Sequence, residues 1–227
     1  MSVRAGADLA SARLRRPGTL TATVLALCFT LGVALLERAQ GRGGAADRAL
    51  LGGAFGIALP LLCYFLVLRS CAGGSLQGAV NPLARHGLSR RPLAVGLALP
   101  AALLAAVFGA LCGVLVVLIG RGPSDPLWLG DAATSLWIGA LAGPAYVLSF
   151  VGASGYGSRG QGRFWLLAAD FVLGAGGSLL AVPWPKGHVR NLLGGTPVLE
   201  LSQLVALLVL LGTSFAFLVL GMLRTRR

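Results

Sequence analysis

An all-α, polytopic membrane protein with six transmembrane helices and both termini in the cytoplasm is the fold class the sequence predicts, and three observations predict it. The 227 residues are 56% hydrophobic and only 11% charged, less than half the charged share of a soluble domain. Mean hydropathy is +0.82, and the apolar residues fall in six long runs, each near the length of about 20 residues that crosses a 30 Å hydrocarbon core. The basic residues gather at the ends of those runs, unevenly between alternate loops. Such a chain cannot clothe itself in polar surface, which excludes a soluble domain, a disordered chain and a coiled coil.

Taken in order, residues 1–18 form an N-terminal arm in which Val3, Leu9, Ala10 and Leu14 alternate with Arg4, Arg13, Arg15 and Arg16, a pattern that suits a helix on the membrane surface. The first span covers 19–36. Its apolar run is too long for a signal peptide and ends in Glu37-Arg38, so it is expected to stay in the protein. The second span is 49–68, and the third, 93–119, is long enough to tilt or to project from the bilayer. The fourth is 132–152, opened by Asp131, a carboxylate favoured at a helix start. The fifth is 164–182. The sixth is 199–223, with Thr196-Pro197 expected as N-cap and first helical residue. Residues 224–227 are a tail, and 19–223 form one transmembrane domain. Pro60, Pro100 and Pro144 interrupt three spans and are expected to kink them. Glycines four apart, Gly52 with Gly56, Gly109 with Gly113, and Gly139 with Gly143, predict close helix packing within the bundle in preference to a dimer seam.

Charge sets the direction. Thirteen of the 19 basic residues fall on the side of the N-terminal arm (Arg4, Arg13, Arg15, Arg16), the second loop (Arg69, Arg85, Arg90, Arg91), the fourth loop (Arg159, Arg163) and the tail (Arg224, Arg226, Arg227). Arg38, Arg42, Arg48, Arg121, Lys186 and Arg190 take the other side. The richer side is expected to be cytoplasmic. The excess of +12 is scattered, with no basic stripe, so nucleic acid is not an expected partner; the lipid bilayer is.

The chemistry-bearing residues are few. The four cysteines form no C-x-x-C pair, and neither His86 nor His188 stands at ligand spacing from one, so neither a metal site nor a disulfide is expected. Gly152-Ala153-Ser154-Gly155 carries the G-x-S-G pattern of the rhomboid intramembrane proteases, but a serine nucleophile needs a histidine on another span, and both histidines lie in loops. No G-x-x-x-x-G-K-[ST] motif is present, so the chain does not hydrolyse ATP by itself. No catalytic residue, metal or cofactor is therefore expected, and the chain is not read as an enzyme. Asp170 is the single clearly intramembrane acid, about 9 Å from the cytoplasmic edge at helical rise. Unpaired, it would cost about 2.5–3.5 kcal/mol, so it is expected to face protein or water, leaning toward Arg163; a contact on a translocation path is the alternative.

The second loop, residues 69–92, is the longest on the cytoplasmic side. Asn81-Pro82 predicts a helix start and Gly87 a stop, enclosing Leu83-Ala84-Arg85-His86, after which Leu88-Ser89-Arg90-Arg91 leads into the third span. A short basic helix there is either a membrane-surface foot or a docking element. Its sequence, with the order of parts along the chain, resembles the type-2 exporter permeases of the ATP-binding-cassette superfamily. That resemblance implies an N-terminal interfacial helix, six spans, a coupling helix between spans two and three, and re-entrant elements before span six. The acidic residue often found before the coupling helix in that family is replaced here by Gly73-Gly74-Ser75-Leu76-Gln77. Carried onto this chain, the resemblance implies docking through Leu83, Arg85, His86, Leu88, Arg90 and Arg91, a separate ATPase subunit, a homo- or hetero-dimer of permeases, and residence in the inner (plasma) membrane. The rival expectations are a non-transporting membrane scaffold and an ion- or proton-coupled carrier that uses Asp170.

Overall fold

The computed structural model describes residues 1–41, 43–122 and 125–225; Arg42, Arg226 and Arg227 of the charge count lie outside them. The described chain is helical and has no strand. In order, α1 is Ser2–Leu14, α2 Pro17–Ala39, α3 Ala45–Ser70, α4 Leu76–Ala84, α5 Arg90–Gly120, α6 Trp128–Ala153, α7 Gly162–Leu173, α8 Pro185–Leu192 and α9 Gln203–Arg224. Five of these, α2, α3, α5, α6 and α9, are long and apolar enough to cross a membrane. The chain is a multi-pass membrane protein by that measure. Its outer faces agree, since Leu20, Leu25, Leu103, Leu204, Leu208 and Phe215 are all more than half exposed, an apolar surface of the kind that marks membrane or protein contact.

The predicted fifth span is the correction. It is broken: α7 stops at Leu173 after 12 residues, about 18 Å and too short to cross alone. The run Gly174-Ala175-Gly176-Gly177 ends it, because each glycine costs a helix close to 1 kcal/mol relative to alanine. The chain then folds through a 3₁₀ turn at Leu179–Ala181, the short helix α8 and a second 3₁₀ turn at Val198–Glu200 before α9 begins. Span six consequently starts later than predicted. Leu199 and Glu200 take left-handed backbone, with φ of 49° and 55°, and the capping residue is Ser202, whose hydroxyl accepts the Val205 N–H, in place of Thr196.

The centre of the bundle is the pair α5 and α6, which share its most extensive contact. Glycines make it possible. A methyl group at Gly109 would land on the Gly139 carbonyl, one at Gly143 on the Ala105 carbonyl, and one at Gly113 on that of Ser135, so the backbones approach closely, as small residues permit in lipid. Gly52 touches nothing and Gly56 meets only its own helix, so that pair is not a seam. Residues 49–58 of α3 instead run in π register. α9 joins through Gly152 and Gly221, since a side chain at Gly221 would land on the Gly152 backbone and one at Gly152 on the Phe217 carbonyl, and through the Ser149–Ser214 hydroxyl bond at 3.2 Å.

Contacts sort the loops to two ends. At one, Arg13 bonds the Ser70 carbonyl, the Leu76 N–H donates to the Ser154 carbonyl, Arg163 bonds the carbonyls of Gly73 and Gly74, and Arg90 that of Thr225. At the other, Arg48 pairs with Glu37 at 2.6 Å, Arg121 with Asp131 at 2.6 Å, and Arg38 bonds the Ile119 carbonyl. The first is the arginine-rich end. The N-terminal arm is helical and is held to the bundle there, with Gly6 and Gly96 in backbone contact between α1 and α5.

Candidate functional site

Two places bear on function, and the first is the second loop. Its helix begins earlier than Asn81-Pro82 predicts. Ser75 is the N-cap, its hydroxyl accepting the Gly78 N–H at 3.2 Å, and Pro82 lies inside the helix. A proline there leaves the carbonyl four residues back without its bond. That carbonyl belongs to Gly78, which is exposed, so water can satisfy it. Gly87 does end the segment, with φ of 84°, a conformation that glycine adopts freely.

Leu76, Ala79 and Val80 bury the inner face of α4. Of the residues expected to dock a partner, Arg85 and His86 are exposed at its tip. Leu83 and Leu88 are half-buried and pack against the core, so they serve the bundle first. Arg90 is tied to the Thr225 carbonyl at 2.9 Å, and Arg91 is half-buried. The structure therefore brings together only the tip, Arg85 and His86, as a free polar surface. Cys71, in this loop ahead of α4, is buried, and burial pushes its thiol up to about 11.

The second place is Asp170 on α7. It is fully buried and does not meet Arg163, which turns to the carbonyls of the second loop. Its carboxylate instead accepts two bonds, from the Tyr146 hydroxyl of α6 at 3.1 Å and from the Lys186 backbone N–H at 2.9 Å. Lys186 is in the first turn of α8, whose N-cap position holds Trp184 with no side-chain cap, followed by Pro185. A carboxylate from another helix thus fills the capping role, in the position the helix dipole favours. Gly174 allows it, because a side chain there would press on Lys186 and on the Asp170 carboxylate. The Lys186 ammonium lies 4.6 Å from the centre of the Phe171 ring.

The remaining polar residues of α8 tie down its own flanks. His188 Nε2 is 2.7 Å from the Val182 carbonyl, Arg190 bonds the Ala175 carbonyl and the Thr196 hydroxyl, and Asn191 Nδ2 donates to the Leu201 carbonyl at 2.8 Å. These bonds satisfy irregular backbone of the kind that membrane depth tolerates only inside protein. Tyr146 and Lys186 were not singled out by sequence. A lone tyrosine two residues after Pro144 was the available signal for the first; no periodicity marks the second.

At the end opposite the arginines, a cleft of about 370 Å³ is lined by Asp47, Arg121, Asp131, Thr134, Ser135 and Gln203. Its charged residues are partly matched by the Arg121–Asp131 pair. Ser154 of the G-x-S-G pattern donates to the Phe150 carbonyl at 2.8 Å and receives Arg163, the arrangement of a helix-end hydroxyl; neither His86 nor His188 bonds it. Among the described residues no group of three or more potential ligands could hold a metal. No family model, curated protein or solved structure matches the chain.

Proposed function

We propose that this chain is the permease-like subunit of an ATP-driven exporter in the inner (plasma) membrane, paired with a second permease and powered by a separate ATPase. The observation that carries the reading is α4: a capped helix between the second and third apolar crossings, anchored by Leu76 and Ser75 and presenting Arg85 and His86 outward at the arginine-rich end. The broken fifth helix, followed by short elements that return before α9, supports it as well, since the type-2 permease plan has re-entrant elements at that point. In this reading the arginine-rich end is cytoplasmic, and closure of the ATPases pushes on α4 and rocks the bundles. Asp170 is spent on the α7–α8 junction, which weighs against the carrier reading.

The test is purification from membranes in mild detergent, with the co-purifying ATPase quantified. Arg85→Glu with His86→Glu reverses the charge of the α4 tip without touching a buried residue, so insertion should be unchanged and the ATPase lost. Retention of the ATPase at the wild-type ratio would show that α4 is not the coupling element. If the wild type brings down no ATPase but another membrane complex, the scaffold reading replaces this one.

A further inference from the structure

Where α1 meets α2, beside the end of α3, Arg13, Arg16 and Arg69 line a cleft of about 410 Å³ together with Phe65, Leu68 and Ala72. Next to it, with Phe65 lining both, an apolar groove of about 330 Å³ runs along the seam of α2 and α3, past Ala22, Ala26, Phe29, Ile57 and Leu61. We propose that the cleft and groove together bind one anionic phospholipid, its phosphate among the three arginines and an acyl chain in the groove.

Charge and shape both specify that occupant. Among the described residues no acidic residue lines the cleft, and the first turn of α2 contains none. Arg16 stands at the N-cap position of α2, so the positive end of the helix dipole adds to the three guanidinium groups. Burial disfavours the charged form of Arg13, and Arg16 beside it adds repulsion; a phosphate offsets both. Arg69 is held over the Phe65 ring at 5.0 Å and Arg13 by the Ser70 carbonyl, which leaves further N–H groups of each fork for bidentate contact with phosphate. Thr19 and Ser70, neighbours of these residues in the chain, are buried with hydroxyls that have no partner among the described residues. From Ala22 to Phe29 the groove descends about 10 Å at helical rise, within one leaflet of a core about 30 Å thick. An acyl chain continues there from a headgroup at the arginines; a free anion would leave the groove empty.

Native mass spectrometry of the full chain, released from micelles doped with phosphatidylglycerol or with phosphatidylcholine, tests this. The wild type should retain phosphatidylglycerol preferentially. Each of Arg13→Gln, Arg16→Gln and Arg69→Gln should lower its retention about fivefold, the factor expected of one basic residue near an anionic surface. Ala22→Phe, which fills the half-exposed groove while keeping all three arginines, should abolish retention without unfolding the bundle, and so decides the matter even where an arginine variant is unstable. Equal retention of the two lipids, or undiminished phosphatidylglycerol on the Ala22→Phe chain, would overturn the proposal. So would displacement of the lipid by millimolar inorganic phosphate, which would mark the cleft as a site for the free anion.

Discussion

The Asp170 carboxylate accepts the Lys186 N–H and the Tyr146 hydroxyl in a site with no solvent exposure, so three separate helices meet at one side chain. Replacing it distinguishes a capping role from a charge-dependent one. Asp170→Asn keeps an oxygen for the Lys186 N–H and offers an amide to the Tyr146 oxygen, so it should melt within a few degrees of wild type. Asp170→Leu orphans both donors, each at a cost of about 1–3 kcal/mol, and a thermal-unfolding measurement in detergent should show the loss clearly. Equal stability of the leucine variant would mean that the junction is held by packing alone. That this acid is buried in protein was legible from its cost in lipid. Its partners were not, because the backbone N–H that it caps comes from a helix 16 residues on, across a turn that the sequence conceals within an apolar run.

Among the elements, the long apolar runs marked the five long helices to within a few residues, since length and hydropathy dominate there. They failed at α7, where residues 164–182 are apolar enough for a span but contain Gly174, Gly176 and Gly177; hydropathy does not register how poorly glycine holds a helix. The helix-start signal at Asn81-Pro82 misplaced the beginning of α4, which starts after Ser75, because a proline is tolerated once the carbonyl it strands faces water. The α5–α6 seam gives a direct test of element packing. Gly109→Ala, Gly139→Ala and Gly143→Ala each place a methyl group on a facing carbonyl and should each destabilise the protein by about 1–3 kcal/mol as overpacking. Gly52→Ala, with open space around it, should be neutral or slightly stabilising. Parallel melting curves of the four variants check the contrast, and a destabilised Gly52→Ala with unaffected seam variants would refute this account of the packing.

At the scale of the whole molecule, the contacts gather the N-terminal helix, the second loop, the fourth loop and the end of α9 at one end, and those segments carry most of the arginines. The expected sidedness is checked by maleimide labelling in intact cells. A cysteine at Ser158 should be protected and one at Gly43 should react, both positions being exposed at opposite ends. Reaction at Ser158 and protection at Gly43 would invert the orientation and put α4 out of reach of any cytoplasmic ATPase. Gly187 is an unsuitable probe, because it is buried against Val198 and Gly174. The interrupted fifth helix has a bearing on how the protein is made. α7 emerges from the ribosome too short to be released into lipid as a stable crossing, and its carboxylate has nothing to cap until α8 has been synthesised. The bond between the Asp170 carboxylate and the Lys186 N–H needs both helices, so this junction is completed only after α8 has followed α7 out of the ribosome.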